Sequence, residues 1–279
     1  MNRTSLLLLA APALVLALSG CPATEATVSN SEALTAVDES ATASQAAGLA
    51  EGTIEIATDF TLGGALKDAA LQIKSFIGAE LPCATVTVAD ATLTVSYGTQ
   101  AVGCTWHGQT ITGTHSITVQ KDDMNAVLVH HEWTDLSNGR VSVSGSADVT
   151  WDATAKSRHI VHELDWTRLS DGRTGKGTGD RTQTALGGDW KAGVSIEGQR
   201  TWDGKSGHWS LAIEGVDWRW QDPVPEKGTY ALTNPENKEL TLDFERVDED
   251  TIHVTLTGAK RDFEFDVSKT GEVAGTDGA

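Results

Sequence analysis

The chain has 279 residues and a formal net charge of −18, from 21 Lys+Arg against 39 Asp+Glu, with 39 % apolar and 22 % charged residues. Such acidity argues against nucleic acid, whose phosphates are held by clustered Lys and Arg, and against adhesion to anionic lipid through a basic patch. The apolar share excludes a wholly disordered chain.

Residues 1–20 read as an export signal. Arg3 gives a basic start, Leu6-Leu7-Leu8-Leu9 opens an apolar run that continues through Leu14, Val15 and Leu16, and small residues close it. No later segment is apolar over the roughly eighteen residues that a membrane helix needs. The mature chain is therefore not expected to cross a bilayer as a helix.

The end of the signal, Leu18-Ser19-Gly20-Cys21, resembles the lipobox of bacterial lipoproteins. The likeness covers the first 21 residues only. It implies cleavage before Cys21, a diacylglycerol thioether on its sulfur and usually a third chain on the new amino group. Two or more chains anchor a protein stably, where one does not. Enteric members of the family that stay in the inner membrane carry Asp after the Cys. Pro22 stands there in this chain, so the likeness points to the outer membrane, with the face left open.

Residues 22–50 are rich in Ala, Ser, Thr and Glu and hold no aromatic residue. They are expected to form a flexible tether of about 29 residues with a root-mean-square reach of roughly 30 Å. A single domain is expected over 51–267, followed by a frayed tail over 268–279. With Cys21 acylated, Cys83 and Cys104 remain, and an oxidising compartment favours a disulfide between them over two separate thiols. Closing a loop of about 20 residues would stabilise the fold by roughly 3 kcal/mol.

One short helix is predicted near 62–77. Leu62, Leu66, Ala69, Ala70, Ile73, Phe76 and Ile77 recur at three and four residues, and Gly78 and Pro82 supply a stop. Before it, Thr53-Ile54-Glu55-Ile56 reads as a short strand. From residue 84 onward the period is two. Alternating pieces run over 85–88, 92–95, 110–119, 126–133, 140–151, 159–166, 209–213, 240–244, 252–256 and 263–267. Asn138-Gly139, Asp171-Gly172 and Asp203-Gly204 are favoured hairpin dipeptides between strands. Trp133 to Arg140 returns as Trp166 to Arg173, and Thr150-Trp151-Asp152 returns as Thr201-Trp202-Asp203, which suggests duplicated hairpins. The fold class expected is all-β with one short helix: an antiparallel up-and-down meander of about ten to twelve strands, as a barrel, half-open barrel or curved sheet.

A register follows from a three-residue loop at Ser137-Asn138-Gly139. It sets Trp133 opposite Val143, His131 opposite Gly145 and Val129 opposite Ala147. On the next pair it sets Val149 opposite Ile160, Ala147 opposite His162, Gly145 opposite Leu164 and Val143 opposite Trp166. Gly175, Gly177 and Gly179 then leave one strand bare on its apolar face. Either neighbouring Trp rings cover them, or the segment is a mobile edge.

Chemistry is sparsely signalled. His130-His131-Glu132 and His159 to His162-Glu163 lack the second His of a zinc-protease helix, and His131 and His162 lie two strands apart. Neither a nucleophile elbow nor a phosphate loop appears. No catalytic, cofactor or metal residue is singled out, and the leading expectation is a non-catalytic envelope lipoprotein with a structural or binding role. Its partners would be the membrane, through the lipid, and a glycan or lipid ligand. Trp209, Trp218 and Trp220 are the candidate ligand-surface aromatics. Two alternatives are a carrier of lipid or another apolar ligand within a half-open barrel, and an enzyme acting on envelope polymers.

Overall fold

A computed structural model describes residues 28–56, 66–99, 101–106, 109–121, 127–152, 155–190, 192–219, 222, 224–269 and 273–276. The export segment, Cys21, Leu62 and Trp220 lie outside them.

Among the described residues, two helices precede the sheet. The second, α2 (Leu66–Glu80), is the predicted one, and it buries Ala69, Ala70, Ile73 and Ile77 on one face. The first, α1 (Asn30–Ile56), corrects the expected tether over 22–50 and the expected strand over 53–56. A capping box starts it: Glu32 N–H donates to Ser29 Oγ at 3.3 Å, and Ser29 N–H donates back to Glu32 Oε2 at 2.6 Å. Ala33, Ala36, Ala46, Ala47 and Ala50 are all buried. Alanine is the best helix former, and its small side chain lets the helix lie close against the sheet. Low apolar bulk suggested a tether, but here the sheet supplies the bulk.

The strands that follow are β1 (Thr85–Ala89), β2 (Thr92–Ser96), β3 (Gly98–Thr99), β4 (Val102–Trp106), β5 (Gln109–Lys121) and β6 (Val127–Ser137). After them come β7 (Val141–Asp152), β8 (Ser157–Arg168), β9 (Arg173–Ala185), β10 (Val194–Gly204) and β11 (Gly207–Trp218). The last are β12 (Lys227–Thr233), β13 (Glu239–Arg246), β14 (Thr251–Thr257), β15 (Phe263–Ser268) and β16 (Val273–Thr276). All pairings between strands are antiparallel. The main path runs β1-β2-β5 and then in chain order to β16, with β3 and β4 set on β5. The sheet is the expected meander, open at its β1 and β16 edges. Among the described residues it has sixteen strands, against about ten to twelve expected. Among the extra strands, β16 pairs with β15 where a frayed tail was expected.

Curvature follows from how α1 lies. Asp38 reaches Arg168 and Arg173 at the β8–β9 hairpin, while Glu51 reaches Arg181 farther along β9, so the helix runs roughly along these strands. Within one turn, Thr53 meets Trp133 on β6 and Glu51 meets Arg200 on β10. A flat sheet would place those two strands about 19 Å apart. The sheet instead wraps the helix, and inward residues of β2, β4–β8 and β10–β15 form one continuous core with α1 and α2.

The β7–β8 register is the one expected: Val149 faces Ile160, Ala147 His162, Gly145 Leu164 and Val143 Trp166. On β6–β7 the pairing is displaced by two residues, to Val129–Val149, His131–Ala147 and Trp133–Gly145. A bulge between Trp133 and Leu136, with Asp135 at φ 50°, absorbs the difference. A two-residue shift keeps the same side chains inward, so the core survives the error. The bare row on β9 is covered. A Cβ on Gly175 would sit 2.1 Å from the Trp166 ring, and one on Gly179 would sit 2.4 Å from the His162 ring. The segment is thus a central strand between β8 and β10, and the mobile-edge reading falls. The Cys83–Cys104 disulfide is present with its Cα atoms 5.5 Å apart, pinning the α2–β1 connection to β4.

Candidate functional site

Polar chemistry concentrates where α1 meets the sheet. At its start, Lys238 Nζ lies 2.5 Å from Glu32 Oε1, holding that carboxyl at about 2. Six residues on, Asp38 accepts from Arg168 at 2.6 Å and from Arg173 at 2.7 Å, and these arginines hold its carboxyl below the usual range. Deeper in, the two flanks of the helix differ.

On the β5–β6 flank the groups are neutral. Trp133 Nε1 donates to Thr53 Oγ1 at 2.8 Å, and Thr53 Oγ1 donates to the carbonyl of Ala50. Beside it, Tyr97 Oη, His115 and His131 form a hydrogen-bonded chain with links of 3.2 and 2.9 Å. The imidazoles stack on each other and on Trp133. Burial pushes His115 down to about 3 and His131 well below the usual imidazole value, so both are neutral at pH 7.

On the β8–β10 flank the groups are charged. Arg158, Arg181 and Arg200 are all buried and project inward, in phase with Ile160, His162 and Trp202. Glu51 Oε1 accepts from Arg181 Nη2 at 2.6 Å and from Arg200 Nη2 at 2.9 Å, while its Oε2 accepts from Gln183 Nε2 at 2.9 Å. Burial works to raise the Glu51 pKa, but Arg181, Arg200 and Arg158 overcome it, and the carboxylate stays ionised. Gln183 Oε1 accepts from Arg158 Nε at 2.7 Å. The Arg158 guanidinium lies against both Trp151 and Trp190, 5.5 and 5.0 Å from their ring centres, and the two rings meet each other edge to face at 5.5 Å. His162 Nδ1 receives Arg181 Nη1 at 2.9 Å, and burial followed by the charges of Arg181 and Arg200 pushes His162 down to about 2. Glu55, one turn beyond Glu51 and half-buried, is raised to about 7 by burial, against the pull of Arg158.

The outer face of β7–β10 is a different surface. Its side chains are short and polar, as in the cross-strand row Ser144, Asp165, Lys176, Asp203. Two open depressions of about 750 and 360 Å³ lie along it. Lys176 pairs there with Glu163, Thr178 Oγ1 lies 2.8 Å from Thr201 Oγ1, and His159 meets Asp180 at 2.7 Å.

The aromatics chosen from the sequence do not form one platform. Trp209 is 2 % exposed and stacks on Trp202 inside the sheet, because it shares the inward phase of Leu211 and Ile213. This corrects its assignment to a ligand surface. Trp218 is half-buried and donates to the carbonyl of Asp222, and Trp220 lies outside the described residues. What sequence reasoning missed is the set Glu51, Arg158, Arg181, Gln183 and Arg200. A signal existed: each of these arginines occupies a position where the period-two pattern calls for an inward side chain. Compared with family models, with curated proteins and with solved structures, the chain matches none.

Proposed function

We propose that this chain is a lipid-anchored lipoprotein of the cell envelope, in the outer membrane, whose sheet is a non-catalytic binding or structural body held close to the bilayer. The anchor rests on the likeness of Leu18-Ser19-Gly20-Cys21 to a lipobox, and the observation that supports a body held close to the bilayer is the docking of Val28. Its N–H donates to the Gly258 carbonyl at 3.2 Å, and its own carbonyl accepts from Lys260 N–H at 2.8 Å. Only residues 22–27 separate Cys21 from this tie. Seven Cα steps span at most roughly 25 Å, so an acylated Cys21 would keep the β14–β15 turn next to the headgroups. The body would be seated on the membrane rather than carried on a long leash.

The polar depressions on the outer face of β7–β10 support a binding role toward a hydroxyl-rich ligand such as an envelope glycan. The carrier alternative has less support, because α1 and the inward side chains occupy the concave face that an apolar ligand would need.

The test is metabolic labelling with palmitate, with the wild type beside Cys21→Ala. Label and membrane association in the wild type, both lost in the variant, are the expected result. An unlabelled wild type overturns the anchor, and so does a variant that stays with the membrane.

A further inference from the structure

The charge count on the β8–β10 flank does not close. Three buried guanidiniums, Arg158, Arg181 and Arg200, face one firmly ionised carboxylate, Glu51. Glu55 also acts on Arg158. Both Nη atoms of Arg158 are buried without a hydrogen-bond partner, as are Nε of Arg181 and Nε of Arg200. A buried charged donor left unmade is costly, and native interiors almost always supply its acceptor. The two Nη of one guanidinium form a planar fork that matches two oxygens of a carboxylate or phosphate. Arg158 is the second residue of β8, so the buried fork lies near the end of the sheet, and Glu55, which acts on it, is half-exposed.

We propose that Arg158, set against Trp151 and Trp190 and backed by Arg181 and Arg200, is an interior oxyanion site that takes a carboxylate or phosphate group. Glu55 is the nearby acid that competes with the incoming anion. The apolar rings beside the guanidinium suit an anion that continues into an apolar chain, so both a free anion and the head group of an amphiphile fit this chemistry. The proposal does not depend on the lipid anchor.

The experiment uses the full chain in a non-ionic detergent. Thermal unfolding is followed against inorganic phosphate, with chloride at matched ionic strength, and against acetate and octanoate. A saturable rise in Tm of about 5 °C with phosphate, absent with chloride, is expected for an occupied site. Broadening of the phosphate ³¹P resonance by the wild type would report the same binding directly. Arg158→Gln should abolish both responses. Glu55→Gln should move half-saturation to lower phosphate, because the competing carboxylate is gone. Octanoate acting at lower concentration than acetate assigns the site to an amphiphile head group, and equal potency assigns it to a free anion. Should Arg158→Gln fail to fold, the wild-type resonance and Glu55→Gln decide. A wild-type response no larger than that to chloride overturns the proposal, as does an unshifted midpoint in Glu55→Gln.

Discussion

One helix is held on two sides by opposite means. Toward β5 and β6, α1 meets neutral groups that satisfy one another in a closed chain from Tyr97 through His115 to His131, with Trp133 joined to Thr53. Toward β8–β10 it meets three guanidiniums with too few acceptors. A satisfied neutral network stiffens a core and needs nothing further. An under-compensated charged one costs stability unless something outside the chain completes it. The contrast teaches that the first flank is architecture and the second is where function is to be sought.

The sharpest way to break the contrast is to remove the one carboxylate that serves two arginines. Glu51→Ala should cost about 3–5 kcal/mol, because Arg181 and Arg200 lose their shared partner inside the core. Chemical denaturation measures it, and a loss below about 1 kcal/mol would show that water already serves these arginines.

Acid should act on both flanks at once. His115, His131 and His162 have folded pKa values below those of the unfolded chain, so their contribution to stability is present above pH 6.5 and is lost as pH falls. Glu55 works the other way. Its folded value, about 7, lies above the unfolded one, so its contribution is present at low pH and is lost as pH rises toward 7. Between pH 6 and pH 5 the three imidazoles outweigh the one carboxyl. Stability should drop by about 2–3 kcal/mol over that unit. Glu55→Gln should steepen the drop, and a flat profile would contradict the burial of the imidazoles.

Smaller effects separate the covering rings from the bare strand. Gly175→Ala should cost about 1–3 kcal/mol, since the new methyl meets the Trp166 ring. Gly139→Ala meets no neighbouring atom but sits at φ 80°, so its cost reports backbone strain alone. If the two variants lose the same stability by calorimetry, ring contact does not matter at Gly175. The smallest change expected is at the capping box. Ser29→Ala should cost about 1 kcal/mol and fray the start of α1, read as faster amide exchange near Ala33.

Much of the frame was legible beforehand. The period-two runs from residue 84 onward, the pairing of β7 with β8 and the helix over Ala69 to Ile77 came from spacing, and the Cys83–Cys104 bridge from the two thiols left in a chain read as exported. The β6–β7 register missed by two residues because a bulge at Asp135 leaves no mark in the alternation. Trp209 was placed outward because an aromatic count does not say which phase of the strand is inward. Its neighbours Leu211 and Ile213 did say so. The helix over residues 30–56 escaped because its apolar residues follow no single face. The Ser29–Glu32 box was the available clue.

Alternation along the chain was enough to specify an antiparallel sheet and which side chains of each strand turn inward, since a strand's two faces are set by its own backbone. Whether an alanine-rich segment is coil or core, and whether an inward arginine finds a carboxylate, depended on what another part of the chain places opposite. Burial and charge pairing are properties of two surfaces brought together, and only the curled sheet around α1 brings them together.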